Sequence, residues 1–219
     1  MAERSTAIGR FEKSTGVSSS LTGTASSSGT TVTGTSTMFT SELRTGDAIR
    51  DNAGTEFRTV ATITSDTVLV LDSAFTTALS GATLVAATFT EIPQVNSLTG
   101  LSGERSETEV SSWSSGIDRK FILGRRDPGT AELPFYFDAK TASHVALRTD
   151  QDNDTERVWR CYIFDSAAGT ALPDDSNSVI TFRGRVQNLT TDFPEDGAIG
   201  GNLTIRVSGK VTIAAGVDP

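Results

Sequence analysis

Few residues of this chain have the chemistry for catalysis. There is one histidine, His144, and one cysteine, Cys161. An imidazole needs a partner to serve as general base or metal ligand. No cysteine or second histidine can join His144, and Asp150 lies more than one helical turn away, so packing or a hydrogen bond is the expected role. Cys161 alternates with Trp159 and Ile163, which puts it on an apolar strand face where a free thiol behaves as a small inert hydrophobe. A lone cysteine forms no internal disulfide, and one Cys with one His builds no structural zinc site.

Carboxylate pairs are more plentiful: Asp174 and Asp175, Glu195 and Asp196, and the run Asp150, Asp152, Asp154. A glycosidase needs two such groups held at fixed spacing across a cleft, which sequence spacing alone does not supply. The run 150-DQDND-154 has the opening of a calcium loop. Thr155 and Cys161 stand where an EF-hand needs its glycine and its bidentate glutamate. It reads as a solvated turn after a helix. The run 197-GAIGGN-202 precedes a strand rather than opening a helix, so it is a turn and not a phosphate cradle. The dense basic cluster, Lys120, Arg125 and Arg126 within 119-RKFILGRR-126, suits one half of an interface with an acidic surface. No catalytic residue, metal or cofactor is expected, and the chain does not read as an enzyme.

The elements that carry these residues are mostly strands. Ser and Thr make up 58 of 219 residues, with 20 glycines; Thr favours strands and Ser favours turns. Period-2 segments recur at 57–63, 67–71, 131–137, 157–164, 179–186 and 203–213. In the last, Leu203, Ile205 and Val207 share one face. Pro134 cannot donate to a ladder, so its strand belongs at an edge or a bulge. The spacing of Ala142, Val145 and Ala146 predicts one helix of about three turns over 138–150, with Asp138 as N-cap. The loop 165–178 is polar and expected to be exposed.

The first third has another character. From Ser18 to Thr37, 14 of 20 residues are Ser or Thr. The segment 38–75 then reads as a small β-barrel, with turns at Gly46-Asp47, Asn52–Gly54 and Ser65-Asp66. Phe39, Leu43, Ile49, Phe57, Val60, Ile63, Leu69 and Leu71 would fill its core. Residues 30–37 alternate enough to be its first strand, although the Ser/Thr-rich lead-in is also compatible with a disordered linker.

The net charge is -8, which argues against a groove that grips duplex nucleic acid and is compatible with a passage that sheds it. No run approaches the ~20 apolar residues of a membrane helix, and the start MAERSTAIGR lacks the core of a secretion signal. A soluble, cytoplasmically made protein is expected, with no membrane partner. The stretch 97-SLTGLSGERSETEVSSWSSG-116 is a polar, acid-tinged ribbon with no Lys, His or Cys.

In order along the chain, 89-FTEIPQVNSLTGLSGERSETEVSSW-113, 121-FILGRRDPGTAELPFYFD-138, the helix with His144 and Leu147, 157-RVWRCYIF-164 and 203-LTIRVSGKVTI-213 resemble the tail tube (major tail) proteins of long-tailed, non-contractile bacteriophages. The resemblance implies a mainly β fold, a tail-tube β-sandwich or barrel with one short helix. It also implies a structural virion protein whose rings, hexameric in that family, stack into a tube through which DNA passes. Partners would be further copies of the chain and the tape measure, terminator and distal tail proteins. DNA would be only non-specific passing cargo, and assembly would take place in the host cytoplasm. The family runs from its first strand, here 6-TAIGRFEKS-14, directly into the FTEI segment; about 70 residues intervene in this chain. Residues 1–17 and 87–219 are therefore expected to form the tube domain and 18–86 an inserted small β-barrel, which could decorate the tail, bind a host surface or stabilise ring contacts. Formal charge is +1 over 1–17, -3 over 18–86 and -6 over 87–219. The ribbon, with Glu104, Arg105, Glu107, Glu109 and Trp113, together with Lys120, Arg125 and Arg126, would be the loop that contacts a neighbouring ring and orders on assembly. Asp192, Glu195 and Asp196 are candidates for lumen charge. A carbohydrate-binding β-sandwich is the alternative, as is another tail component such as a terminator or tip protein.

Overall fold

The computed structural model describes residues 6–111, 119–165 and 178–214. β1 (Thr6–Ser20) opens the chain, and the hairpin β2 (Thr24–Ser28) and β3 (Thr31–Thr35) follows. The Ser/Thr-rich lead-in is therefore ordered strand. Residues 30–37 supply the second strand of that hairpin rather than the first strand of the region. A single helical turn, α1 (Phe39–Glu42), leads into β4 (Ala48–Asp51), β5 (Arg58–Ser65) and β6 (Val68–Leu71). β7 (Leu84–Glu91) and the two-residue β8 (Thr99–Gly100) lead on to the hairpin β9 (Glu104–Glu109) and β10 (Phe121–Asp127). β11 (Thr130–Tyr136), α2 (Ala142–Asp152), β12 (Glu156–Asp165), β13 (Ser178–Asp192) and β14 (Gly200–Ala214) complete the chain. The architecture is mainly β.

Twelve strands form one sheet in the order β2-β3-β6-β5-β4-β7-β1-β12-β13-β14-β11-β8, and β9 and β10 form a separate pair. Apolar side chains gather into two clusters. One lies under α2 and takes Phe11, Leu133, Phe135, Leu147, Trp159, Phe182, Leu203 and Ile205. Trp159 is the pivot: its ring stacks on Phe11 at 5.7 Å, and its indole N–H donates to the Gly184 carbonyl at 3.0 Å. A Cβ on Gly184 would lie 2.6 Å from Ile205 Cγ2 and 2.7 Å from the Arg206 carbonyl, so only glycine fits there.

The second cluster takes Val32, Phe39, Leu43, Ile49, Val60, Leu69 and Leu71, with Ile63 packed against it. Phe57 is not among them. β5 begins one residue later, and the Arg50 guanidinium covers the Phe57 ring instead. Phe75, Leu79 and Leu84, from the segment leading into β7, fill the core in its place. That segment also closes the strands on themselves, because Ala25 and Ala82 exchange backbone hydrogen bonds at 2.8 Å.

Three local expectations are corrected. The helix starts at Ala142, with Thr141 at the N-cap position and no side-chain cap. Asp138 stands outside it, and its carboxylate accepts from the Lys140 N–H and the Thr141 hydroxyl. The helix also runs on through Asp152, so Asp150 belongs to its buried face rather than to a solvated turn. Pro134 is neither at an edge nor at a bulge, since β14 lies on one side of β11 and β8 with the Val95–Phe135 bridge on the other; it is tolerated because its carbonyl accepts the Asn96 N–H at 2.9 Å, so its missing N–H faces the 94–101 segment and costs no ladder bond to β14.

Candidate assembly surface

The acidic ribbon and the basic cluster, neighbours in sequence, are the two strands of one hairpin. β9 carries Glu104, Arg105, Glu107 and Glu109; β10 carries Arg125 and Arg126, with Lys120 just before it. The register pairs Glu109 with Phe121 and Glu107 with Leu123, then slips by one residue before Arg105 meets Arg126. That β-bulge twists the ribbon away from flatness. Both strands of the pair come from one chain.

Every residue of β9 and β10 is exposed. Phe121, Ile122 and Leu123 stand in a row at 52, 59 and 53% exposure, and Val110, whose N–H donates to the Lys120 carbonyl, is 43% exposed. Opposite charges across a wet ribbon add little: the Arg119–Glu109 pair is 3.7 Å apart and open to solvent. A two-stranded hairpin is marginal alone, and contiguous exposed apolar side chains mark an interaction surface. Among the described residues, only the root is tied down. Arg206 donates to Asp127 at 2.6 Å, and the Gly129 N–H donates to the same carboxylate at 2.9 Å. The Gly129 hydrogen bond first, and Arg206 after it, hold the Asp127 carboxyl below its ordinary range.

Sheet edges supply a second surface. β1 pairs with β12 over Thr6–Lys13, while β7 covers its other edge only from Glu12 onward. β11 covers β14 only from Gly200 to Arg206, and beyond Val207 the outer edge of β14 has no partner strand among the described residues. At that level β1, β12, β13 and β14 form an antiparallel four-stranded patch open on both sides. Bare edges of this kind are templates for further strands.

The family model of lambda-like phage tail tube proteins matches residues 74–216. The chain belongs to that family. No curated protein matches it. A tail tube protein is a structural component of the virion tail, built by self-association into a tube with other tail proteins, and is not an enzyme. The match starts inside the second core cluster and takes in both the hairpin and the open edge of β14.

The remaining chemistry-bearing residues of the tail tube chain serve its packing. His144 is fully buried between Phe135 and Phe137. Its Nδ1 accepts the Asp138 N–H at 3.0 Å, which leaves Nε2–H to donate to the Pro93 carbonyl at 3.0 Å. Burial pushes the Cys161 thiol up to about 11, so it stays protonated. Asp150 receives Lys13 Nζ at 2.5 Å and Arg157 Nη2 at 2.7 Å. It is 2% exposed, and the two cations neutralise it. Burial pulls the Lys13 ammonium below its ordinary range, and the Asp150 hydrogen bond acts against that pull. Among the described residues no three His, Cys, Asp or Glu side chains converge as a metal site would need, and no helix is long and apolar enough to cross a membrane.

Asp192, Glu195 and Asp196 lie together, all exposed, at the turn between β13 and β14. Trp113 falls in 112–118, and Asp174 and Asp175 in 166–177, outside the described residues. The exposed apolar row Phe121–Leu123 was not foreseen as part of the surface. Its signal was present: three consecutive large apolar residues between cations, a pattern that fits neither face of a half-buried strand.

Proposed function

We propose that the chain assembles as six-membered rings that stack into the tail tube, and that genomic DNA passes through the lumen during ejection. The observation that carries this reading is the hairpin: two paired strands, exposed on both faces, holding Phe121, Ile122 and Leu123 in solvent. Such a ribbon gains burial only against another copy, and it is proposed to reach the next ring, with Trp113 as a further anchor.

Within a ring, the open edge of β14 meets the open edge of β1 in the neighbouring copy. Because the four strands alternate in direction, that meeting is antiparallel and the ladder continues around the ring. The net charge of -6 over residues 87–219 gives the lumen its acidic balance, so that phosphates are repelled rather than held.

Residues 18–86 are proposed as a module inserted into the tube domain. Its ends are adjacent, as insertion requires: the Ala86 N–H donates to Ser18 Oγ at 3.1 Å, and the Leu21 N–H donates to the Leu84 carbonyl at 2.8 Å. Both proposed boundaries fall within strands, β1 and β7, which run on from the module into the tube sheet. A second tie comes from Arg160, which lies 3.8 Å over the Phe89 ring, donates to the Gly46 carbonyl at 3.1 Å and pairs with Asp47.

Negative-stain electron microscopy of the purified chain, fresh and after concentration, tests the reading. Regular hollow tubes are expected. Discrete particles that stay monomeric at every concentration, also when mixed with preformed tail tips, would overturn it.

A further inference from the structure

Two like charges stand directly opposite each other at the end of β7. Glu91 faces Glu12 on β1, an arrangement that destabilises a sheet. One guanidinium serves both carboxylates: Arg10 Nε lies 2.7 Å from Glu12 and 3.4 Å from Glu91. Arg160, the other cation near Glu12, is engaged by Asp47. Burial raises the Glu12 carboxyl above its ordinary range, and Glu91 adds to that rise against Arg10 and Arg160. Glu12 is 4% exposed, whereas the Glu91 side chain is 49% exposed. The surplus negative charge therefore stands in solvent on Glu91.

The opposite surplus lies on β14. Arg126 and Lys210 line a cavity of about 320 Å³ together with Leu101, Pro128, Gly209 and Val211. Neither cation makes an ion pair or a side-chain hydrogen bond with a carboxylate among the described residues. Two local causes open the cavity. The ladder between β11 and β14 stops where the Val207 N–H donates to the Gly129 carbonyl at 3.1 Å. β14 then bulges: Arg183 faces Ser208 and Thr181 faces Thr212, so β14 runs four residues while β13 runs two. Gly209 makes the bend at a φ of +81°, a conformation that favours glycine.

Within one chain these charges do not meet. Glu91 on β7 and Lys210 on β14 are four strand spacings apart, roughly 19 Å. They do share a face. Glu91, Glu12, Arg160, Thr181 and Thr212 are opposed in turn across β7, β1, β12, β13 and β14, and opposed residues point to one side. Lys210, two residues before Thr212, takes that side too. When the free edge of β1 meets the free edge of β14 in a second copy, the antiparallel strands part at one place. β1 takes β7 from Phe11 onward, its carbonyl accepting the Ile92 N–H at 2.8 Å, and β14 takes β11 up to Val207. The Glu91 end of one copy and the cavity of the other lie at that fork. We propose that the cavity between Arg126 and Lys210 is the seat for the Glu91 carboxylate of the adjacent copy in the ring. The contact is heterologous, so it recurs once per copy around a closed ring. It rests on the edge-to-edge reading of the ring and adds what fixes the register, because a slip of one residue would put Lys210 and Glu91 on opposite faces.

Charge exchange tests the seat, and amide protection tests the edge pairing beneath it. The variants are Glu91→Lys, and Arg126→Glu with Lys210→Glu, and then both sets in one chain. Glu91→Lys removes the repulsion with Glu12, so the free chain should unfold at the same or a higher temperature. Tube mass, read by sedimentation against the wild type, should nonetheless fall at least ~tenfold for each set alone, and the combined chain should recover most of the loss because the signs are exchanged. Glu91→Gln keeps the shape of the side chain and is the second variant: tube mass should drop with unfolding unchanged. Normal tubes from Glu91→Lys and Glu91→Gln, or a combined chain without recovery, overturn the seat. Amide hydrogen exchange over residues 208–213, at the amides not bonded to β13, should show protection in wild-type tubes that the free chain lacks. Intact tubes without that protection overturn the edge pairing and the seat together, whereas a protected edge with normal Glu91→Lys tubes overturns the seat alone.

Discussion

Two polar hairpins of this chain look alike as sequence and behave differently as structure. The hairpin of β2 and β3 is almost all Ser, Thr and Gly, yet Ala25 and Val32 are buried, one on each strand. β3 pairs onward with β6, and β2 is bridged to Ala82. The hairpin of β9 and β10 carries far larger apolar groups and buries none of them. Apolar content does not decide which ribbon is covered. One small inward residue per strand and a neighbouring edge are enough to seat the first. The second has no third strand among the described residues, so its Phe121, Ile122 and Leu123 stand in solvent.

The largest effect should come from breaking the seated hairpin. Val32→Asp puts an unpaired carboxylate where no water reaches, at a cost on the order of 3 kcal/mol or more. Thermal unfolding should fall sharply, and a loss under about 1 kcal/mol would mean that β3 is not held by its core. The same kind of change in the open hairpin should leave the monomer nearly untouched. Phe121→Ser with Leu123→Ser should shift stability by about 0.5 kcal/mol or less while abolishing tube growth. A destabilised monomer would show that the ribbon is packed within its own chain. Trp113→Ala sharpens the contrast further: tube growth should drop with unfolding unchanged, and normal tubes would remove Trp113 from the contact.

The smallest effect is at the root. Asp127 has its carboxyl lowered, so its hold on Gly129 and Arg206 is present above the ordinary value of 3.8 and is lost only as pH falls through the lower folded value. A titration followed by NMR should place its midpoint below 3.8. A midpoint at or above that value would mean that the root is not clasped.

How much of this was legible in the sequence depends on how local each cause is. The strand at 203–207 is legible because its alternation is strict and Leu203, Ile205 and Val207 form one buried face, whereas 157–164 is legible as a continuous apolar run, buried on both faces from Val158 to Tyr162. β2 was not read, because a run of Ser and Thr with one Ala carries no period; its place is set by β3 and by Ala82, far along the chain. Phe57 reads as core because it heads the alternating run 57–63, but a guanidinium from β4 covers it. Asp150 reads as solvated because nothing near it in sequence announces Lys13, 137 residues away. The acidic ribbon and the basic cluster were each legible; that they are partner strands depends on a register that only the folded chain displays.

The central claim is that the β9–β10 hairpin is covered by another copy when the tube forms. Amide hydrogen exchange over residues 104–111 and 119–127 measures this directly, in the free chain and in assembled tubes. The account predicts fast exchange at the solvent-facing amides of the free chain and strong protection of the same amides in tubes. Equal exchange in the two states, with tubes intact, would contradict it.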